Sequence, residues 1–351
     1  MGSIKIDDLQ TGQVLSGNVY NNEGALVAKA GSIVNEKLKY RLLEFKVTEV
    51  DVVGEDKSIF DHKMIIQLQA MDILQKAMRK YVIQMGTSKD RKVAARISSL
   101  VERTIVAKEV SRTLYNLRAI DNYRFEHTIN VCVLCTAYAV LNNFPKEELK
   151  TVLLASILHD IGHLLISKAT IEKPGPLREL EKKKMKLHSQ LGYKLILSQN
   201  FSEEVARVAY EHHERINGTG YPRGLKGKDL SQLSKVLMVA DVYDALTSDR
   251  TYRRRYTPQE AKEYFMATSG DLFDHDIVKT FFSTIPQYPT GSMVLLNTGE
   301  VGIVKEQCAW NYSRPEVVIY YGEDKLELKT PKQLKLSEHD NLTKYVVDIL
   351  T

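Results

Sequence analysis

The stretch Ser156-Ile-Leu-His-Asp-Ile-Gly-His163 decides how this chain is read, because His159 and Asp160 stand side by side at the end of an apolar run. Imidazole nitrogen suits first-row transition metals, and a carboxylate has two oxygens that can bridge two ions, so such neighbours can feed one dinuclear centre. The dipeptide alone says little. Of nine histidines in the chain, however, six fall between residues 127 and 213: His127, His159, His163, His188, His212 and His213. Their spacings are too long for a zinc finger and no thiol set accompanies them, so a site made of them has to be assembled from several helices.

Outward from this stretch, residues 118–287 read as helical throughout. His127 opens a helix running to about Asn142, and Glu147 to Ser167 supplies the helix that carries His159, Asp160 and His163, with 159 and 163 at i and i+4 on one face. Gly162 leaves room between them for a ligand or metal to approach. A basic loop turning at Lys173-Pro-Gly-Pro-Leu177 leads to a helix begun by His188, with Lys182 to Lys184 as a solvated face. The next helix, Glu203 to Glu214, ends in His212-His213; consecutive residues point about 100° apart, so both reach one cluster only if it lies across the helix end. The loop Arg215-Ile-Asn-Gly-Thr-Gly-Tyr-Pro-Arg-Gly-Leu225 combines glycines with a tyrosine fixed before proline, which suits stacking on a flat ring. Leu233 to Thr247 is a helix with Asp241 and Asp244 among apolar neighbours. A buried acid is costly unless paired or ligated, which makes Asp241 the natural closing ligand. Arg250, Tyr252, Arg253, Arg254 and Arg255 follow, and guanidinium forks grip phosphate.

The flanks carry no comparable chemistry. Residues 1–60 read as a small β-rich module, with short strands at 13–15, 17–20, 25–28 and 47–53, turns at 21–24 and 29–31, and a helix over 35–45. Residues 61–117 read as two long leading helices, paired with each other as a hairpin or with a second copy as a homodimer. Residues 288–351 return to strands at 292–296, 300–305 and 316–321, with 341–350 a helix or strand, and read as a small barrel. The terminal modules are expected to serve interaction or regulation. The chain is thus expected to be mainly α, with the helical domain at 61–287 and its core at 118–287.

Composition bounds the function. With 351 residues, 43% hydrophobic and a net charge of +5, the chain has the make-up of a soluble globular protein that suits an anionic ligand and falls short of a nucleic-acid-binding signature. The charged start and the lack of an apolar run near ~18 residues indicate neither secretion nor membrane spanning, so a cytoplasmic location is expected. Three cysteines are too few for a disulfide framework. Cys132 and Cys135 form a C-x-x-C inside an apolar stretch and read as core packing.

Taken in order, His159-Asp160, His212-His213-Glu214, Asn217-Gly-Thr-Gly-Tyr-Pro222 and Val239-Ala-Asp-Val-Tyr-Asp-Ala-Leu246 resemble the motifs of HD-GYP domains, the branch of the HD phosphohydrolases that hydrolyses cyclic di-GMP. The resemblance spans roughly half of the chain. It implies an all-helical metal-dependent domain whose ligands are His127, His159, Asp160, His188, His212, His213 and Asp241, with Asp160 as the bridge. It implies iron or manganese, two divalent ions; mixed His and carboxylate ligation leaves zinc open. The implied reaction is in-line attack by a hydroxide held at the metals on a phosphodiester phosphorus, mainly giving linear pGpG. Tyr221, Arg250 and Arg253 fall at the family's substrate-contact positions.

Two departures stand out. The lysine that touches substrate phosphate in the family is His163 here, and Asn217 replaces the usual aspartate with turn chemistry kept. His163 either leaves the site short of a cation and slows turnover, or adds a metal ligand or a hydrogen bond to the attacking water. Three-metal members carry a glutamate four residues before the first histidine; here Tyr123 stands there, which implies two metals. The competing function is a catalytically weak effector that binds cyclic di-GMP and signals through its flanking modules.

Overall fold

A computed structural model describes residues 2–350 apart from 11–12, 14, 16, 22–25, 29–31, 33, 35, 53–57, 83–87, 172, 174, 249–253, 289 and 309–312. The chain divides into two units, residues 1–68 and 69–351. In the first, β1 (Gly2–Lys5) pairs antiparallel with β4 (Glu49–Val52), and β2 (Val19–Tyr20) pairs with β3 (Leu26–Ala28). Helix α1 (Glu36–Glu44) lies between β3 and β4 in the chain. Alternation along β4 buries Val50 and Val52 and exposes Glu49 and Asp51, and the buried pair joins Leu9, Leu15, Val34 and Leu42 in a small core. Of the strand expected at 13–15, residue 14 lies outside the described residues and Leu15 makes a bridge to Val52. The turns expected at 21–24 and 29–31 fall almost wholly outside the described residues.

Helix α2 (Ser58–Tyr81) is followed by α3 (Ser88–Val106) and α4 (Lys108–Ile120). Two helices are expected over 61–117 where three occur, because Ala107 leaves helical geometry at φ −58°, ψ 136° and separates α3 from α4. Next come α5 (Asn122–Leu141), α6 (Lys146–Leu158), α7 (Lys168–Ile171), α8 (Glu179–Ser198) and α9 (Glu203–Tyr210). After them stand α10 (Gln232–Thr247), α11 (Pro258–Thr268) and α12 (His275–Thr284). α5 buries every residue from Val131 to Val140 and is surrounded by α3, α4, α6, α10 and α12, as a helix that is hydrophobic all round over this stretch must be. Asp121 caps it by accepting from Tyr123 N at 2.9 Å. Cys132 and Cys135 lie buried in this helix as core residues, and burial pushes the Cys132 thiol up to about 12.

The C-terminal residues form one antiparallel sheet of β5 (Met293–Leu296), β6 (Val301–Glu306), β7 (Glu316–Tyr321), β8 (Glu327–Lys335) and β9 (Val346–Leu350), in the order β8-β7-β6-β5-β9. Among the described residues β8 and β9 do not pair, so the sheet is open where a barrel is expected. The sequence gives no strand at 327–335, since only Leu334 of that strand is buried and its other positions are mostly exposed, lysine-rich and interrupted by Pro331. That composition belongs to an edge strand, which charge and proline protect from further pairing. Of the described residues 341–350, Val346–Leu350 form strand β9 and no α-helix forms there. Among the described residues no helix is long and apolar enough to cross a membrane.

Candidate metal centre

Two local breaks and one close helix approach bring the histidines together. α6 stops at Leu158, and His159 and Asp160 occupy a turn into a 3-10 segment at 161–165, where one continuous helix is expected. Gly162 allows this segment to press on α8: a Cβ there would lie 1.8 Å from His188 O and 2.5 Å from Gly192 N. α9 stops at Tyr210 instead of reaching Glu214, so His212 and His213 sit on the following turn and both face the site. His188 stands in the middle of α8, nine residues after the helix begins at Glu179, and not at its start.

The ring orientations are set by the protein. His159 Nδ1 lies 2.7 Å from Ser156 O, His188 Nδ1 2.8 Å from Met185 O, and His212 Nδ1 2.6 Å from Ala209 O. Each Nδ1–H donates to the carbonyl three residues back, which leaves each Nε2 with its lone pair turned inward. His127 is held by a carboxylate instead: its Nδ1 is 2.7 Å from Asp244 Oδ2, while Tyr81 OH and Ser248 Oγ donate to Asp244 Oδ1 at 2.9 and 3.0 Å.

These inward atoms crowd in a way that calls for cations. His188 Nε2 and His212 Nε2 face each other at 3.2 Å, two acceptors with no proton to share. His159 Nε2 is buried and makes no hydrogen bond among the described residues. His127, His159 and Asp241 form one group of ligand atoms within 4.8 Å of one another, and His188, His212 and His213 form a second. Asp160 joins them, with Oδ2 3.8 Å from His159 Nε2 and Oδ1 3.5 Å from His188 Nε2 and 3.8 Å from His212 Nε2. Asp241 Oδ1 is 3.0 Å from His127 Nε2 and its Oδ2 is 3.9 Å from His213 Nδ1. Donors bound to one ion at about 2.0–2.2 Å stand roughly 3–4 Å apart, so the residues present fit a pair of first-row dications. His163 is buried with Nε2 3.4 Å from Asp160 Oδ1, and its ring stacks on His188 with centroids 4.1 Å apart. Its Nδ1 has no partner among the described residues, unlike the rings locked onto carbonyls.

Burial opposes charge here. It pushes His188 down to about 3 and His212 down to about 4. Burial also works to raise Asp241, but the hydrogen bond from His127 holds it well below the carboxylate range. An unfolded imidazole titrates near ~6.5, so below that value the unfolded chain takes up protons that native His188 and His212 refuse. Their stabilisation is complete above ~6.5 and is lost as pH falls toward their folded values, at up to about 1.4 kcal/mol per unit for each. His127 runs the other way: burial would lower it, but Asp241 and Asp244 hold it well above the usual value, so its contribution is complete below ~6.5 and lost only as pH rises. The melting temperature of chelator-treated protein is therefore expected to drop from about pH 6.5 to about pH 5; a flat profile would contradict this account.

The glycine-rich loop is clamped from behind. Glu214 Oε1 accepts from Arg223 N at 2.7 Å and Oε2 from Leu225 N at 3.1 Å, and Gly220 passes so close to Glu214 that a Cβ would lie 2.4 Å from its backbone. Buried Glu211 accepts from Arg223 and Ser234. Asn217 Oδ1 accepts from Thr219 N at 3.0 Å, the turn that an aspartate would also make. Tyr221 is thereby stacked on His213, centroids 4.7 Å apart, with Lys186 Nζ 4.8 Å from its ring. Tyr123 stacks on His127 at 5.7 Å. A cavity of about 300 Å³ over the cluster is lined by Asp160, His163, His213, Tyr221 and Asp241, and by Arg124 and Arg215.

Arg250 and Arg253 lie outside the described residues. Sequence reasoning passed over Arg124, Arg215, Tyr81 and the two loop-clamping glutamates, and left Asp244 without a role. Asp244 had a signal, since it is as buried in the apolar helix as Asp241, and Glu214 stood in the His-His-Glu motif without an assigned role; Tyr81 is separated too far in sequence to be linked.

The sequence model of the HD domain family matches residues 101–277, half of the chain. A cyclic di-GMP phosphodiesterase of Pseudomonas aeruginosa is 35% identical over 210 residues, which are 60% of this chain and 50% of that protein. A 3'3'-cGAMP-specific phosphodiesterase of Vibrio cholerae serotype O1 is 39% identical over 99 residues, 28% of this chain and 22% of that one. Among solved structures, an HDG"Y"P protein from Bdellovibrio bacteriovorus aligns over 80% of this chain and 97% of its own at a TM-score of 0.40 and 18% identity. The chain belongs to the HD domain family and, by its His-Asp, His-His-Glu and Gly-Tyr-Pro motifs, to the HD-GYP branch. It spans about half the length of the Pseudomonas relative.

Proposed function

We propose that this chain is a metal-dependent phosphodiesterase that hydrolyses cyclic di-GMP, mainly to linear pGpG. The observation that carries the proposal is the placement of Asp160, whose two oxygens face different histidine groups. Two divalent ions, iron or manganese, would lower the pKa of a bound water and neutralise charge at the phosphorus. His127, His159, Asp160 and Asp241 would hold one, and Asp160, His188, His212 and His213 the other. Tyr123, at the position where a third-ion glutamate would stand, is stacked on His127 as an aromatic wall and supports two ions over three. With two dications bound, their charge would exceed that of the two ligand carboxylates, and the cavity floor would attract a phosphodiester anion. Tyr221 is assigned to a base, and phosphate to Arg250 and Arg253 and, from the cavity wall, to Arg124 and Arg215. We further propose that residues 61–287 are the catalytic domain and that the flanking β modules take protein partners. Metal-loaded protein incubated with cyclic di-GMP and, separately, 3'3'-cGAMP tests the reading; chromatography should show pGpG as the early product, and GMP appearing first would contradict it.

His163 favours a second reading, an effector that binds cyclic di-GMP with little turnover. A buried imidazole against Asp160 supplies no permanent cation to the scissile phosphate, as a lysine would. Under the first reading His163→Lys raises turnover about tenfold, the effect of ~1.4 kcal/mol of added transition-state stabilisation, and leaves metal content unchanged. Loss of metal in that variant would instead make His163 a ligand.

A further inference from the structure

Arg124 and Arg215 line the cavity over the histidine cluster, and both are engaged. Arg124 pairs with Asp121, while Arg215 donates to Glu214 O at 2.6 Å and lies 5.1 Å from the centre of the Phe273 ring. Lys186 differs. It is exposed on α8, two residues before His188, and its Nζ stands 4.8 Å from the centre of the Tyr221 ring. At the start of the same helix Arg178 pairs with Glu181 and Lys182 with Glu179, whereas among the described residues Lys186 makes no ion pair and no hydrogen bond. Tyr221 itself lines the cavity and stacks on His213, so the ammonium is held at the cavity edge by a ring that faces the cluster. A cation over a ring is weakly held at an exposed site and yields to a better acceptor.

We infer that Lys186 selects guanine over adenine in the base that Tyr221 receives, an inference that rests on the assignment of Tyr221 to a base in the proposed function. A planar base laid on Tyr221 enters the layer that the ammonium occupies, and the flexible stem of a lysine lets its head move to the rim of that base. There the two purines differ. Guanine offers O6 and N7, two acceptors side by side, whereas adenine offers N7 beside an amino donor. An ammonium has three donors and no acceptor, so it satisfies the guanine edge and meets a group of its own kind on adenine. Its charge strengthens the bonds to guanine. His188 and His213, the other rings against Tyr221, belong to the ligand cluster and are committed there.

Calorimetry on the metal-loaded full chain with GMP, AMP and ribose 5-phosphate tests it, since none of the three has a diester to cleave and binding is read apart from turnover. GMP is expected to bind about tenfold more tightly than AMP, the discrimination of one good base-edge contact. Lys186→Met keeps the apolar stem and removes the donors, so it should bring GMP to within about twofold of AMP. Metal content should match the parent by elemental analysis, and the melting temperature should hold because methionine suits an exposed helix position as well as lysine does. Lys186→Arg, which restores donors without an acceptor, should restore the preference for GMP. No binding of GMP, equal binding of GMP and AMP by the parent, or a preference that survives in Lys186→Met would each overturn the inference. So would equal weakening of GMP, AMP and ribose 5-phosphate in that variant, which would make Lys186 a phosphate contact. Cyclic di-GMP left intact beside a guanine preference that depends on Lys186 would count against the phosphodiesterase reading alone.

Discussion

Asp160→Ala is expected to empty both metal positions and to lower cyclic di-GMP turnover by at least about a thousandfold, some 4 kcal/mol of lost transition-state stabilisation. The carboxylate is buried, and burial works to raise it, but the imidazoles of His159 and His163 hold it well below the ordinary range. It is therefore a full anion placed among histidines, and removing it takes one donor from each histidine group at once. Elemental analysis of the variant should find neither ion retained at wild-type stoichiometry. A variant that keeps its metal would show that Asp160 does not bridge.

Gly162→Ala is expected to be the most damaging single methyl in the domain. The added carbon would stand 1.8 Å from His188 O and 2.5 Å from Gly192 N, both backbone atoms of α8 that cannot swing aside as a side chain would. Relief requires α8 and the 161–165 segment to part, and overpacking against fixed backbone costs about 3 kcal/mol or more. Because α8 carries His188 and the segment follows directly on His159 and Asp160, metal affinity should fall along with the melting temperature. Equal stability of variant and parent would mean that this approach is looser than described.

How far the sequence reaches follows from what kind of contact each feature depends on. The histidines, the aspartates and the long helices were legible because residue type and local period carry them. What could not be read was the interruption of helices at His159 and after Tyr210, since both breaks are enforced by neighbours: α8 against Gly162, and the glutamate clamp behind the glycine-rich loop. Tyr81 was invisible for a related reason. It holds Asp244 across 163 positions of sequence, and no local pattern marks that pairing. Strand β8 escaped because an exposed edge lacks the alternation by which buried strands are recognised.

The backbone carbonyls that hold His159, His188 and His212 have a consequence for which element the chain takes up. A pocket whose rings are aimed by main-chain atoms is finished before any ion arrives, and its mixed imidazole and carboxylate donors suit zinc as well as iron or manganese. Selection then passes from geometry to supply, and the order of intrinsic affinity among first-row dications places zinc and copper above iron and manganese. Protein recovered from zinc-rich medium should carry zinc, and the identity of the resident ion in a cell becomes a record of which metal was available when the chain folded.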